Sequence, residues 1–235
     1  MVGMTDPEAI ELARSVRPQE FGGGSRTIAD AVIEPLWSGI RVIVGAAGGR
    51  AAMFQHGEPL TTHAHLAEAF ASVVLARADG VIVDAWLTRQ IASDDTRVYT
   101  GPDDEMPSTG QFLGRVLLGS RADRVREATS RMEEDQAARI IATDEPVNLV
   151  VVDLLWLDGT WLLDVPLLER KRLVESVVPA GELVRPGIHV RPPIDSWVGS
   201  WRAQGFSGLT FKAANSRYRP GERASDWATS PMPRR

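Results

Sequence analysis

The chain has 235 residues, 43% of them apolar and 24% charged, with no cysteine and a formal net charge of −5. That length buries a real core in one large domain, or one domain with a small appendage. The lack of cysteine excludes disulfides and thiolate metal sites, and no apolar run approaches the roughly 20 residues that span a bilayer, so no membrane partner is expected. No basic-then-apolar segment near the start suggests export, and a cytoplasmic location is expected. The cations are lopsided, 24 arginines against two lysines. Codon bias accounts for this, yet it confines any lysine chemistry to Lys171 and Lys212.

Residues 5–16 predict a short helix: a cap-like Thr5, then Asp6-Pro7-Glu8, with Ile10, Leu12, Ala13 and Val16 on roughly one face. Gly22-Gly23-Gly24-Ser25 reads as a flexible loop, since a phosphate cradle would need a following Gly-Lys-Ser that is absent. Residues 1–30 are therefore an N-terminal helix and glycine-rich loop. Residues 40–45 and 50–54 flank Gly48-Gly49 as a hairpin. Residues 62–78 predict a helix, and 79–87 a buried strand entered from a tight turn. His63-Ala64-His65 has two imidazoles but no nearby carboxylate, which fits surface residues at a helix start better than a metal site.

Residues 88–146 read as an insertion in a single domain spanning 1–235. Within it, 93–107 is acidic and rich in turn formers, hence a solvent loop. Residues 120–143 form an amphipathic, charge-laced helix, read first as a solvated surface helix and second as a docking element. Residues 148–157 are a β-rich run ending at Asp158-Gly159. Asp164-Val165-Pro166 is a helix start with proline in the first turn, and Lys171 on that helix is expected to point to solvent.

Several segments, in order, resemble the motifs of the covalent nucleotidyltransferases, above all the adenylation domain of ATP-dependent DNA ligases. Glu34-Pro35-Leu36-Trp37-Ser38-Gly39-Ile40-Arg41 resembles Glu-x-Lys-x-Asp-Gly-x-Arg, with Glu34, Gly39 and Arg41 matching. Gln55-His56-Gly57-Glu58-Pro59-Leu60-Thr61 resembles Ser-Arg-Asn-Gly-x-x-Leu-Thr with its arginine replaced, and Asp84 survives from Leu-Asp-Gly-Glu. Asp153 and Asp158-Gly159 resemble the fourth segment, and Pro166-Leu167 through Arg170 and Lys171 the Pro-Leu-x-x-Arg-Arg signature. The tail is the fullest match: Gly205 to Lys212, then Asn215-Ser216-Arg217-Tyr218-Arg219-Pro220-Gly221-Glu222-Arg223 and Asp226-Trp227. The resemblance implies an α+β, ATP-grasp-like nucleotidyltransferase fold of antiparallel sheets with flanking helices. Few residues follow Trp227, so the family's oligonucleotide-binding barrel is not expected.

The departures fall on the chemistry. In the family a lysine attacks the α-phosphate of ATP and carries AMP as a phosphoramide; here that position is Leu36. Ser38, Trp86 and Ser207 replace metal and ribose carboxylates, Val152 the adenine-stacking aromatic, and Ala228, Thr229 and Ser230 stand where terminal lysines would be. Leucine has no lone pair to offer, and in-line transfer needs metal-binding carboxylates as well. No catalytic residue is therefore expected. Glu34, Arg41 and Lys212 remain as a vestigial nucleotide site, and no cofactor is expected, ATP and magnesium entering only if activity persists through another residue or a partner. Leu36, Trp86 and Val152 are expected to fill the former cleft, with Trp86 as its plug.

Between Arg202 and Arg235 lie seven cations and two anions. This predicts a C-terminal basic patch, Arg217, Arg219 and Arg223, for weak DNA binding. The reading is a catalytically degenerate ligase-like binding or scaffolding module in DNA repair, with DNA and a repair protein as partners. The alternatives are an active ligase and a non-catalytic nucleotide sensor.

Overall fold

The computed structural model of the protein describes residues 8–22, 28–92 and 147–232. The expected cap at Thr5, the glycines from Gly23 on, the acidic loop and the 120–143 helix lie outside these residues.

The centre is a sheet ordered β5-β4-β3-β6-β7-β8: β3 (Ile40–Ala47) and β4 (Arg50–Gln55) form the expected hairpin, β5 (Glu58–Pro59) flanks it, β6 (Gly80–Thr88) and β7 (Asn148–Leu157) are the long middle strands, and β8 (Thr160–Trp161) closes one side. All these neighbours are antiparallel, and a short β9 (Val184–Pro186) adds a parallel pairing on β7. A second, antiparallel sheet is ordered β12-β10-β2, from β2 (Ala31–Pro35), β10 (Gly208–Ala213) and β12 (Trp227–Pro231). β1 (Glu20–Phe21) pairs in parallel with β11 (Arg223–Ala224).

Strand alternation sorts the core into two faces. Val42, Val44, Val81, Val83, Ala85 and Leu87 point to one face, where they pack with Phe70 and Val74 of α2 (Ala64–Val74) and Val174 and Val177 of α3 (Leu167–Val177). The opposite face carries Ile43 and Ile82 against α1 (Glu8–Ser15), and Val150 and Val152 against Ile33, Phe211 and α4 (Asp195–Ala203). Gly45 makes the α1 contact possible, since a Cβ there would lie 2.7 Å from the Ala9 carbonyl oxygen and 2.8 Å from the Ala13 methyl.

Two local expectations change. The helix read at 62–78 is shorter, running Ala64–Val74, with His63 at φ 60° as its N-cap and without a side-chain cap bond. Asp164 does not cap α3, whose N-cap is Pro166 with no side-chain cap bond. Instead the Leu167 and Leu168 amides donate to the Ser216 and Ala214 carbonyls at 2.9 and 3.0 Å. The tail thus satisfies the helix's first free donors, and Asp164 pairs with Arg217.

Candidate functional site

Between the two sheets, Glu34 is the hub. It is the fourth residue of β2, paired with Thr210, while Lys212 on β10 pairs with Val32 two residues back on β2, so both side chains point to the same side. The Lys212 ammonium donates to both Glu34 oxygens at 3.1 and 2.9 Å. Lys171 comes from α3: its Nζ stands 2.6 Å from the same carboxylate and donates to the Val152 carbonyl at 2.7 Å. Burial opposes ionisation of Glu34, but the two ammonium groups outweigh it and hold its pKa at about 2. Burial also pulls the Lys212 pKa below its ordinary value, with Lys171 adding to the shift and Glu34 opposing it. Both lysines of the chain are thus engaged by one carboxylate. The expectation of a solvent-facing Lys171 is corrected, because it is 2% exposed. The signal lay in the sequence: Leu167, Lys171, Val174 and Val178 share a face at helical spacing, and Lys171 falls within it.

A second ionic group lies on the same side of the large sheet. Asp84 and Asp153 are cross-strand partners on β6 and β7, both fully buried, a pairing that repels unless each gains a cation. Arg41 grips Asp84 through two bonds, 3.0 and 2.5 Å, and Arg170 of α3 grips Asp153 through two more, 2.7 and 3.0 Å. The Tyr218 hydroxyl donates to Asp84 at 2.7 Å and accepts the Gln19 amide at 3.0 Å. Burial, helped by Asp84, pushes the Tyr218 pKa up, so it stays a donor. Burial alone would lower the Arg41 and Arg170 pKa values, but Asp84 and Asp153 respectively raise them, and both guanidinium groups stay charged.

The three residues expected to share a nucleotide site are therefore split. Glu34 and Lys212 touch, whereas Arg41 belongs to the Asp84 pair. Phe21 connects the two groups, its ring centroid 5.9 Å from the Arg41 guanidinium carbon and 6.0 Å from the Lys212 ammonium. Trp86 flanks Arg41 on another side at 5.9 Å, and Trp227 lies 4.5 Å from the Lys212 ammonium. The phenylalanine was not singled out in the sequence, where it only precedes the glycines.

At the position of the family's nucleophile, Leu36 is 5% exposed, its amide donating to the Gly208 carbonyl at 2.9 Å. Val152 is buried as expected. Trp86 is only half-buried, so it flanks the site and does not plug it. The Ser38 amide donates to the Gln90 side-chain oxygen Oε1 at 2.8 Å.

Arg217, Arg219 and Arg223 are all exposed. Arg217 pairs with Asp164 and Arg223 with Glu20 at 3.5 Å, whereas among the described residues Arg219 has no ion-pair partner. The His63 and His65 rings stand 6.0 Å apart, and among the described residues no group of three or more His, Asp or Glu is arranged to hold a metal ion.

Residues 119–229 match the family model for the ATP dependent DNA ligase domain. A DNA ligase of Methanothrix thermoacetophila is 33% identical over 144 residues, covering 59% of this chain and 24% of that protein. The multifunctional non-homologous end joining protein LigD of Mycobacterium bovis is 33% identical over 84 residues, 36% of this chain and 11% of that protein. The chain thus spans a quarter or less of the length of these two relatives. In fold it is similar to the ligase domain of LigD from M. tuberculosis, with a TM-score of 0.58 at 21% identity over 92% of this chain and 59% of that one. A mycobacterial DNA ligase D complexed with ATP and MES gives 0.58 at 22% identity, over 92% and 60%. In its motif order, and in the sheets that bring those motifs together, the chain is similar to the adenylation domain of ATP-dependent DNA ligases.

Proposed function

We propose that this ligase-like domain does not carry a nucleotide on lysine and serves as a binding or scaffolding module in DNA repair. The observation that supports this reading is the double engagement of Glu34: the two lysines available to replace the nucleophile are both held by one buried carboxylate. An ammonium ion locked in this way has no free lone pair for attack on phosphorus. The residues also do not fit a divalent cation, since Glu34, Asp84 and Asp153 each already bind one or two cationic side chains. The repair setting draws on the likeness to a protein described as acting in non-homologous end joining.

Incubation with ATP and magnesium, followed by intact-mass measurement, tests the reading. No gain of one AMP is expected. An AMP adduct lost in Lys212→Ala would replace the reading with an active nucleotidyltransferase, and a rise in melting temperature with ATP but without an adduct would favour the nucleotide sensor.

A further inference from the structure

The two sheets are joined along one side by the connector that follows β9. The Gly187 amide donates to the Val151 carbonyl of β7 at 2.7 Å. Further along, the Val190 amide donates to the Ile33 carbonyl of β2 at 2.8 Å, and the Ile33 amide returns a bond to the Val190 carbonyl at 2.9 Å. β2 pairs with β10 on its other edge, so this bridge is what covers the outer edge of β2. Glycine suits the approach to the large sheet, because a Cβ at Gly187 would stand 3.1 Å from a Val152 methyl and 3.3 Å from the Val151 carbonyl oxygen. Ile188, His189 and Val190 are only half-buried, in contrast to the buried strands they link.

His189 lies within this connector, its side chain 16% exposed. α3 presents Lys171 and Glu175 to the ring, and β2 presents Glu34. Lys171 is fixed there by Glu34 and by the Val152 carbonyl. Of the two carboxylates only Glu175 is not already taken by lysine, and it is 58% exposed with its oxygen 3.8 Å from Nδ1, beyond hydrogen-bond reach. Burial disfavours the imidazolium most and Lys171 adds to it, outweighing Glu34, Glu175 and the Gly187 backbone, so the pKa lies below the ordinary histidine value. A protonated ring is better accommodated with the connector lifted into water, away from Lys171. Opening therefore takes up a proton, and acid favours it.

We propose that residues 187–190 are an acid-sensitive clasp between the two sheets, with His189 as its trigger, and that opening the clasp bares the outer edge of β2 at Ile33. The Ile33 amide and carbonyl are then unpaired, the kind of edge that accepts another strand. This regulation is independent of whether the domain carries a nucleotide on lysine.

Amide hydrogen exchange of the full chain, followed by NMR at about pH 7.5 and about pH 5.5 with each rate divided by its intrinsic value, tests the clasp. At both pH values the Ile33 and Val190 amides are expected to exchange faster than the Val44 amide in the middle of β3, through an opening that urea accelerates little. Their protection should fall several-fold between the two pH values, up to about tenfold, the ceiling one unit below an ordinary histidine pKa of about 6.5. In His189→Gln that fall should vanish. Exchange no faster than at Val44, equal protection at the two pH values, or a fall that persists in His189→Gln would each overturn the proposal. If His189→Gln does not fold, a wild-type pH series decides. The loss of protection must then set in below about pH 6.5 and stay within about tenfold per pH unit, as uptake of one proton requires, and any other dependence overturns the clasp.

Discussion

Glu34 illustrates how one residue can fix the character of a site. It is fully buried, and its removal would strand two ammonium groups without a counter-ion. Breaking a buried ion pair from one side costs about 3 to 5 kcal/mol, so Glu34→Gln should lower stability by that amount in urea titration. Replacing Glu34, Lys171 and Lys212 together by methionine should recover most of the loss, because no uncompensated charge remains. A triple variant less stable than Glu34→Gln would show that the ions contribute more than their mutual neutralisation.

Acid should act on the same residues. The Glu34 pKa is about 2 in the folded protein against an ordinary 4.5, so its contribution is complete above pH 4.5 and lost as pH falls towards 2, roughly 3 kcal/mol in all. His189 stands near this triad and 3.8 Å from Glu175. Burial and Lys171 lower its pKa from 6.5 despite Glu34 and Glu175. The folded state therefore binds that proton less readily than the unfolded chain, and stability falls as pH drops below about 6.5. Melting temperature measured between pH 8 and pH 3 should fall in two stages, the upper one absent in His189→Gln and the lower one absent in Glu34→Gln. A melting temperature flat from pH 5 to pH 3 in the wild type would contradict the assignment to Glu34.

At the scale of elements, alternation along β6 places Asp84 and Trp86 on the face towards the site and Ala85 on the other. Trp86 lies at the margin of this face, half-buried against Arg41. Trp86→Ala should accordingly cost only about 1 to 2 kcal/mol, mostly lost contact with the guanidinium group. Leu36, at 5% exposure, should cost about 2 to 5 kcal/mol when cut to alanine. Urea titration of the two variants gives the order, and a larger cost at Trp86 would restore it as the plug. Leu36→Lys should be destabilising, since it buries a further charge, and should form no AMP adduct, which intact-mass measurement checks.

The C-terminal third of the chain supplies the element-to-element support for this arrangement. Carbonyls of Ala214 and Ser216 cap α3, and the Ser216 hydroxyl accepts the Trp227 indole N–H at 3.0 Å, so the segment between β10 and β12 holds both the lysine-bearing helix and the aromatic over Lys212.

Across the whole molecule, a net charge of −5 opposes binding to nucleic acid, and two of the three exposed tail arginines have acidic partners. Any DNA binding through Arg217, Arg219 and Arg223 should therefore be weak, indifferent to sequence and steeply reduced by salt. Charge reversal at all three should abolish it in a fluorescence anisotropy titration at low salt, with Arg219 carrying the largest single effect. Binding that survives the triple change would place the interface elsewhere, and no binding at low salt would favour a protein partner.

The sequence by itself determined the resemblance to the ligase adenylation domain, the antiparallel sheets with flanking helices that it implies, the hairpin at Gly48-Gly49, the long middle strands and the leucine at position 36. These are local patterns or ordered motifs, and local backbone preference and the 2- and 3.6-residue periods are enough to read them. Which charges meet which was decided only by the tertiary structure. Glu34 and Lys171 are far apart in sequence, and Asp84 and Asp153 become neighbours only when β6 and β7 pair. A buried ionic partner leaves no periodic trace of its own, so Lys171 reads as a surface lysine until the apolar face of α3 is docked over Val152 and β2 brings Glu34 beneath it. Phe21 is the extreme case: two residues of strand and one ring acquire their role solely from where β11, Arg41 and Lys212 stand around them.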